Sequence, residues 1–177
     1  MSDEVAAYIA GFLDGDGSIM AQLVYRKDYK LGYQIRVSIV FYQKQSHSEI
    51  LFWLKEQLNF GYIRNRNDGM TEYTIVGMDE VAHVLTLLKP QLRLKKQLAS
   101  DVLKLIGVHP KKMTAKKLVN LSKLVDKTAT FNYSKKRTNT AEVVEEFLKN
   151  NNLFPVETGP AVAGSEDGTL NQRPIIC

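Results

Sequence analysis

Two carboxylates stand two residues apart in Asp14-Gly15-Asp16-Gly17, at the end of an apolar, helix-forming run. The C-terminal end of a helix carries partial negative charge, so acids are disfavoured there. A bound cation reverses the sign of that cost, and the pair is therefore a candidate for divalent-cation chemistry. Two plainer readings compete. Asp-Gly is a common turn signal, so Asp-Gly-Asp-Gly would also serve as a hairpin turn. A calcium loop of the EF-hand kind needs Gly at its sixth position and Glu at its twelfth. Counted from Asp14 these are Ile19 and Tyr25, so that reading fails.

The element that presents the pair is predicted as a helix from Glu4 to Leu13, with Asp3 as its N-cap and Glu4 in its first turn. Val5, Tyr8, Ile9 and Phe12 recur at helical spacing and read as its buried stripe. Ala7, Gly11 and Gly15 recur every fourth residue on another face. A helical Gly costs about 1 kcal/mol relative to Ala, and a line of small residues lets a second backbone come close. A tightly packed helix inside one chain accounts for the same pattern.

Beyond the acidic turn, residues 18–26 alternate, with Ile19, Ala21 and Leu23 on one side and Gln22, Val24 and Arg26 on the other. A loop spans Asp28 to Gly32. Residues 33–43 alternate again, Ile35, Val37, Ile39 and Phe41 against Gln34, Arg36, Ser38, Val40 and Tyr42. This predicts an antiparallel pair with one apolar and one polar face. Ser46 and Glu49 form a capping box, opening a helix that turns Ile50, Leu51, Trp53, Leu54 and Leu58 inward. Residues 61–66 and 71–76 make a second pair around Asn67-Asp68-Gly69, and Asp79 caps a helix that runs to Leu88 and stops near Pro90. The order is α-β-β-α-β-β-α. Further helices are predicted over about 95–107, 114–127 and 140–150, the last framed by Asn139 and Glu142 as a capping box. Residues 1–153 read as one domain. From Phe154 on, Pro, Gly, Ala and Ser dominate without apolar periodicity, and 154–177 read as a disordered tail.

The chain has 177 residues, enough for one sizeable core, and its 44% hydrophobic and 24% charged residues are ordinary for a globular protein. Net charge is +5, and since the tail holds three acids against one arginine, the body is more basic still. That favours a polyanionic partner without identifying one. The single cysteine, Cys177, excludes an internal disulfide and a cysteine-built zinc site. No apolar run approaches membrane-spanning length, and Met1-Ser2-Asp3-Glu4 does not read as a signal or transit peptide.

Ile9 to Gly17 resembles the motif that names the LAGLIDADG homing endonucleases, with Phe12, Leu13 and Gly15 as variants of it. Ser18-Ile19-Met20-Ala21-Gln22, Gln43-Lys44 and Pro90-Gln91-Leu92-Arg93-Leu94-Lys95 extend the resemblance over about residues 5–152. The chain is most similar to the single-motif, homodimeric members encoded in group I introns of algal organelles. The resemblance implies an α+β fold: an αββαββα core with a saddle-shaped antiparallel sheet, followed by C-terminal helices. It implies Asp16 as catalytic metal ligand, with the Gly15 carbonyl beside it, and Asp14 as a brace for the helix end. Gln43 and Lys95 would order water at the scissile phosphate, Lys95 also as a positive charge. At position 47 relatives are expected to carry arginine; His47 here can donate hydrogen bonds and shuttle protons near neutral pH. Ala7, Gly11, Asp14 and Gly15 would form the interface of a homodimer.

A two-stranded ribbon fits the DNA major groove, where Arg and Gln read guanine and adenine. The polar sheet face and its loops supply Gln22, Val24, Arg26, Asp28, Tyr29, Gln34, Arg36, Ser38, Val40 and Lys44 in the first pair. Arg64, Arg66, Glu72 and Thr74 come from the second, Val40 being suited to a thymine methyl. Basic clusters at Arg93, Lys95 and Lys96, at Lys111, Lys112, Lys116 and Lys117, and at Lys135, Lys136 and Arg137 suit phosphate contacts. One metal site cuts one strand, so the expected partners are double-stranded DNA and a second copy on a shared two-fold axis. The expected activity is Mg²⁺-dependent hydrolysis of both strands of a long pseudo-palindromic site, leaving 3′ overhangs and promoting intron homing. Mn²⁺ is expected to substitute and Ca²⁺ to bind without supporting cleavage. The expected setting is an organelle, a chloroplast ahead of a mitochondrion. Two alternatives share the resemblance: an RNA-binding maturase for group I intron splicing, and a DNA-binding regulator without nuclease activity.

Overall fold

A computed structural model of the chain describes residues 1–131 and 137–154. Its first helix, α1 (Asp3–Asp16), runs directly into β1 (Gly17–Tyr25), so no loop separates the acidic turn from the sheet. β2 (Tyr33–Lys44), α2 (Glu49–Leu58), β3 (Tyr62–Asn65), β4 (Met70–Val76) and α3 (Met78–Leu88) follow. Three more helices, α4 (Lys96–Gly107), α5 (Ala115–Thr128) and α6 (Ala141–Asn150), complete the described chain. The order αββαββα with additional C-terminal helices is the one the sequence predicts.

The four strands form one antiparallel sheet in the order β1-β2-β4-β3. Alternation builds the core on one face: Ile19, Ala21, Ile35, Val37, Ile39, Phe41, Tyr73 and Ile75 are buried under the helices. Tyr73 stacks on Phe41, and its hydroxyl donates to the Phe60 carbonyl at 2.8 Å. At the far end of the first hairpin, Tyr25, Tyr33 and Phe147 meet edge to face and tie α6 to the sheet.

The predicted helix starts are corrected in four places. Ser2, not Asp3, caps α1, accepting from the Val5 amide, and α1 continues past Leu13 to Asp16. Ser46 does not cap α2. Gln45–His47 form a 3-10 turn first, Ser46 Oγ lies 2.8 Å from His47 Nδ1, and Ser48 occupies the position before the helix. Gly77 precedes α3 in place of Asp79, which lies inside the first turn. Thr140 caps α6, while Asn139 donates its side-chain amide to the Leu23 carbonyl.

The buried stripe of α1 is also corrected. Ala6, Ile9, Ala10 and Leu13 face the core, whereas Tyr8 is 54% exposed and Phe12 half-buried. Trp53 is half-buried too, its ring edge-on to Tyr8 at 5.6 Å. The predicted disordered tail, and Lys135 and Lys136, lie outside the described residues apart from Phe154 itself.

Candidate cation site and nucleic-acid interface

The two carboxylates of the acidic turn meet opposite fates. Asp14 is half-buried and turned into its own chain, across the bend between α3 and α4. It accepts from the amides of Arg93 at 2.6 Å, Leu94 at 3.1 Å and Lys95 at 2.9 Å. The Lys95 ammonium donates in return to the Asp14 carbonyl at 2.5 Å, capping one of the free carbonyls that end α1. The Asp14 carboxylate is therefore engaged within one chain. Asp16 is the last residue of α1 and is exposed, and its carboxylate has no hydrogen bond or ion pair among the described residues.

Lys95 feels both acids. Burial pushes its ammonium below the ordinary lysine range, and the charges of Asp14 and Asp16 partly hold it up. Gln43 arrives by strand register. Gly17, immediately after Asp16, pairs with Phe41, so half-buried Gln43 lies two residues along at the same sheet end, opposite Thr71. His47 follows in the exposed 3-10 turn. Among the described residues no three His, Cys, Asp or Glu side chains are grouped to enclose an ion. One free carboxylate next to the exposed Gly15 backbone suits Mg²⁺, which keeps several waters and completes its shell with substrate phosphates.

The polar face of the sheet runs away from this corner. Gln22 and Arg36 are cross-strand partners and both exposed; Val24 and half-buried Gln34 form the next pair. Arg26 is held in a fork by Asp28, at 2.9 and 2.8 Å, with its guanidinium over the Tyr29 ring. Arg64 and Glu72 are register partners joined at 2.7 Å, and Arg66 reaches the same carboxylate at 3.8 Å. Asp68, which the sequence reading assigned only to a turn, holds Arg66 from the other side at 2.7 Å. Two of the expected contact residues lie deep. Ser38 and Val40 are 3% and 4% exposed, at the floor of the sheet. Thr74 is nearly as closed and pairs with Tyr62. Lys44 is exposed at the end of β2.

On α1 the small-residue face is open. Ala7, Gly11 and Gly15 are exposed, and a Cβ added at Gly11 or Gly15 would meet no atom within 4 Å. Within one chain nothing requires glycine there. Gly17 is different: a Cβ there would lie 2.9 Å from the Leu13 backbone, so the helix-to-strand junction itself demands it.

The αββαββα fold, with its first helix delivering a free aspartate beside a half-buried lysine at the end of an Arg- and Gln-bearing sheet, defines the class of protein. The LAGLIDADG endonuclease family pattern matches residues 9–106, and the chain belongs to that family. Among individual proteins it is similar to the DNA endonuclease I-CvuI of Chlorella vulgaris, with 41% identity over 143 residues, covering 81% of this chain and 89% of the relative. It is similar also to the DNA endonuclease I-CreI of Chlamydomonas reinhardtii, with 35% identity over 146 residues, covering 82% and 89%. The crystal structure of I-CvuI with its target in the presence of Ca²⁺ superposes with a TM-score of 0.82 at 39% identity, covering 86% of this chain and 97% of that one. I-CvuI on the I-CreI target with Mg²⁺, its DNA not cleaved, gives 0.80 at 40% identity, covering 83% and 94%.

Proposed function

We propose that this protein is a homing DNA endonuclease that recognises a long duplex site with the polar face of its sheet and hydrolyses one phosphodiester in each strand, acting as a homodimer. The observation that carries this reading is the division of labour between the two acids: Asp14 is consumed in fixing Lys95, and Asp16 is left free beside it.

Asp16, with the Gly15 carbonyl, would hold Mg²⁺; when bound, such an ion activates water and stabilises the leaving oxygen. Lys95 places a positive charge where negative charge develops on the phosphate, and Asp14 fixes it there through three amides. Gln43 orders water at the same sheet end. His47, steadied by Ser46, hydrogen-bonds at the edge of the site. Arg26, Gln34 and Arg36 read bases in one part of each half-site and Arg64 and Arg66 in another, the guanidiniums of Arg26, Arg64 and Arg66 being already oriented by Asp28, Glu72 and Asp68. Mn²⁺ would substitute for Mg²⁺, and Ca²⁺ would support binding only. Pairing of two α1 helices through Ala7, Gly11 and Gly15 gives each strand one Asp16. The relatives' algal sources support an organellar intron setting, with the chloroplast preferred.

Plasmids carrying the I-CvuI and I-CreI targets, and a library of randomised sites, are the test substrates. Linear product with 3′ overhangs is expected only with Mg²⁺ or Mn²⁺. Asp16→Asn is expected to lower cleavage by at least about 10²–10³-fold while a gel shift on the same duplex persists. A folded Asp16→Asn protein that cuts normally overturns the reading.

A further inference from the structure

The last helix reaches back to the tip of the first hairpin. α6 has a fixed base: the Ala141 amide donates to the Asp126 carboxylate at 2.7 Å, and Val144 and Leu148 are fully buried. From that base two side chains touch the hairpin. Asn139, just ahead of α6, donates to the Leu23 carbonyl at 2.9 Å. Phe147 meets the Tyr25 and Tyr33 rings edge to face at 5.7 and 5.4 Å, and its ring also lies on Gly32. A Cβ at residue 32 would fall within that ring, and φ there is +71°, so both the neighbour and the backbone require glycine.

Gly32 is one corner of a closed loop. Its carbonyl accepts from the Arg26 amide at 2.8 Å, and its amide donates to the Tyr29 carbonyl at 2.8 Å. The Tyr29 amide donates in turn to the Arg26 carbonyl at 3.1 Å. On this ring of backbone bonds stand the two exposed side chains of the tip, Arg26 forked by Asp28 and Tyr29 under its guanidinium. The seat of Gly32 thus sets where Arg26 and Tyr29 point, and Phe147 is the side chain it sits on.

Tyr25 lies eight residues along β1 from Gly17, which is about 26 Å at the rise of a strand, or roughly eight base pairs at 3.4 Å each. We propose that Phe147 is a positioning residue for recognition: by seating Gly32 it aims Arg26 and Tyr29 at the base pairs of each half-site farthest from the scissile bond. This role rests on the DNA-reading function proposed above, whereas the seat of Gly32 on α6 does not.

Binding of the full chain to duplexes of its preferred site, substituted one base pair at a time, tests the role. Phe147→Ala is expected to lower discrimination about five- to tenfold at the outermost pairs and to leave it unchanged at the pairs read by Arg64 and Arg66. Phe147→Leu, which keeps apolar bulk on Gly32, is expected to restore it. Single-turnover cleavage of the preferred site at saturating protein should be unchanged in both, since Asp16 and Lys95 lie at the other end of β1. Should Phe147→Ala fail to fold, Asn139→Ala releases the Leu23 tether and is expected to give the same pattern. Equal loss at every position, or none at the outermost pairs, overturns the positioning role. The Gly32 Hα resonances report the seat without DNA: the Phe147 ring displaces them, and Phe147→Leu returns them towards ordinary glycine values. Resonances that do not move overturn the seat. A chain with displaced resonances that binds no duplex counts against the nuclease reading instead.

Discussion

Asp14 and Asp16 are the same residue type two positions apart, and the end of one helix gives them different chemistry. Three amides and an ammonium neutralise Asp14 locally, which offsets the cost of an acid at a helix C-terminus. The price of that arrangement falls on Lys95, whose partial burial lowers its proton affinity. Its ammonium is therefore lost at a lower pH than that of an exposed lysine. Cleavage is expected to fall on the alkaline side as Lys95 deprotonates, a limb that Lys95→Arg removes and that a pH profile of single-turnover rates measures. For stability the sign is opposite: between the lowered folded value and the ordinary unfolded one the unfolded chain holds more protons, so stability rises with pH there. A second residue-scale prediction concerns Glu72, nearly buried between Arg64 and Arg66. Glu72→Ala removes a negative charge, frees the Arg64 guanidinium and leaves Arg66 held by Asp68 alone. Duplex binding should tighten while discrimination at the bases they read falls by about 1–3 kcal/mol, as scored by binding to singly substituted sites. Unchanged discrimination would place both arginines on phosphates.

Among the elements, periodicity was enough to find every strand and helix of the core, because alternation and helical spacing are local properties. It did not orient α1. A helix with two apolar-looking faces does not reveal which one meets the sheet, and here the small Ala6 and Ala10 face inward with Ile9 and Leu13, leaving Tyr8 outside against Trp53. The acid pair was legible as a candidate cation site, but the partners of Asp14 lie some 80 positions away in sequence and no spacing rule connects them. The Ser46–Glu49 box matched a helix start that a 3-10 turn pre-empted. Ser38 and Val40 had the right parity for the reading face, yet parity says nothing of depth. The α1–β1 junction gives the sharpest element-scale prediction. A methyl at residue 17 presses on the Leu13 backbone and on its Cδ1 atom, so Gly17→Ala must shift either the last turn of α1 or the first pair of β1. It is expected to lower stability by about 1–3 kcal/mol in urea unfolding, and to lower cleavage because Asp16 moves with the turn.

At the scale of the whole molecule, the exposed Ala7, Gly11 and Gly15 line on α1 makes opposite demands on one chain and on two. In a single chain a side chain at residue 11 meets nothing, and replacing a helical Gly raises helix propensity by up to about 1 kcal/mol. If two copies of α1 cross there, the same side chain lies where the other backbone must pass. Gly11→Leu is therefore expected to leave a folded monomer while abolishing the dimer in sedimentation, with thermal unfolding lowered only by the association free energy that is lost. Double-strand cleavage should disappear with the dimer, since each chain brings a single free Asp16 to one phosphodiester. A mixed dimer of the unaltered chain with Asp16→Asn separates assembly from chemistry: with pairing intact and one carboxylate missing, its expected product is a nicked circle. A stable Gly11→Leu dimer that still linearises plasmid would move the pairing surface off α1 and leave the open glycines of that helix without a role.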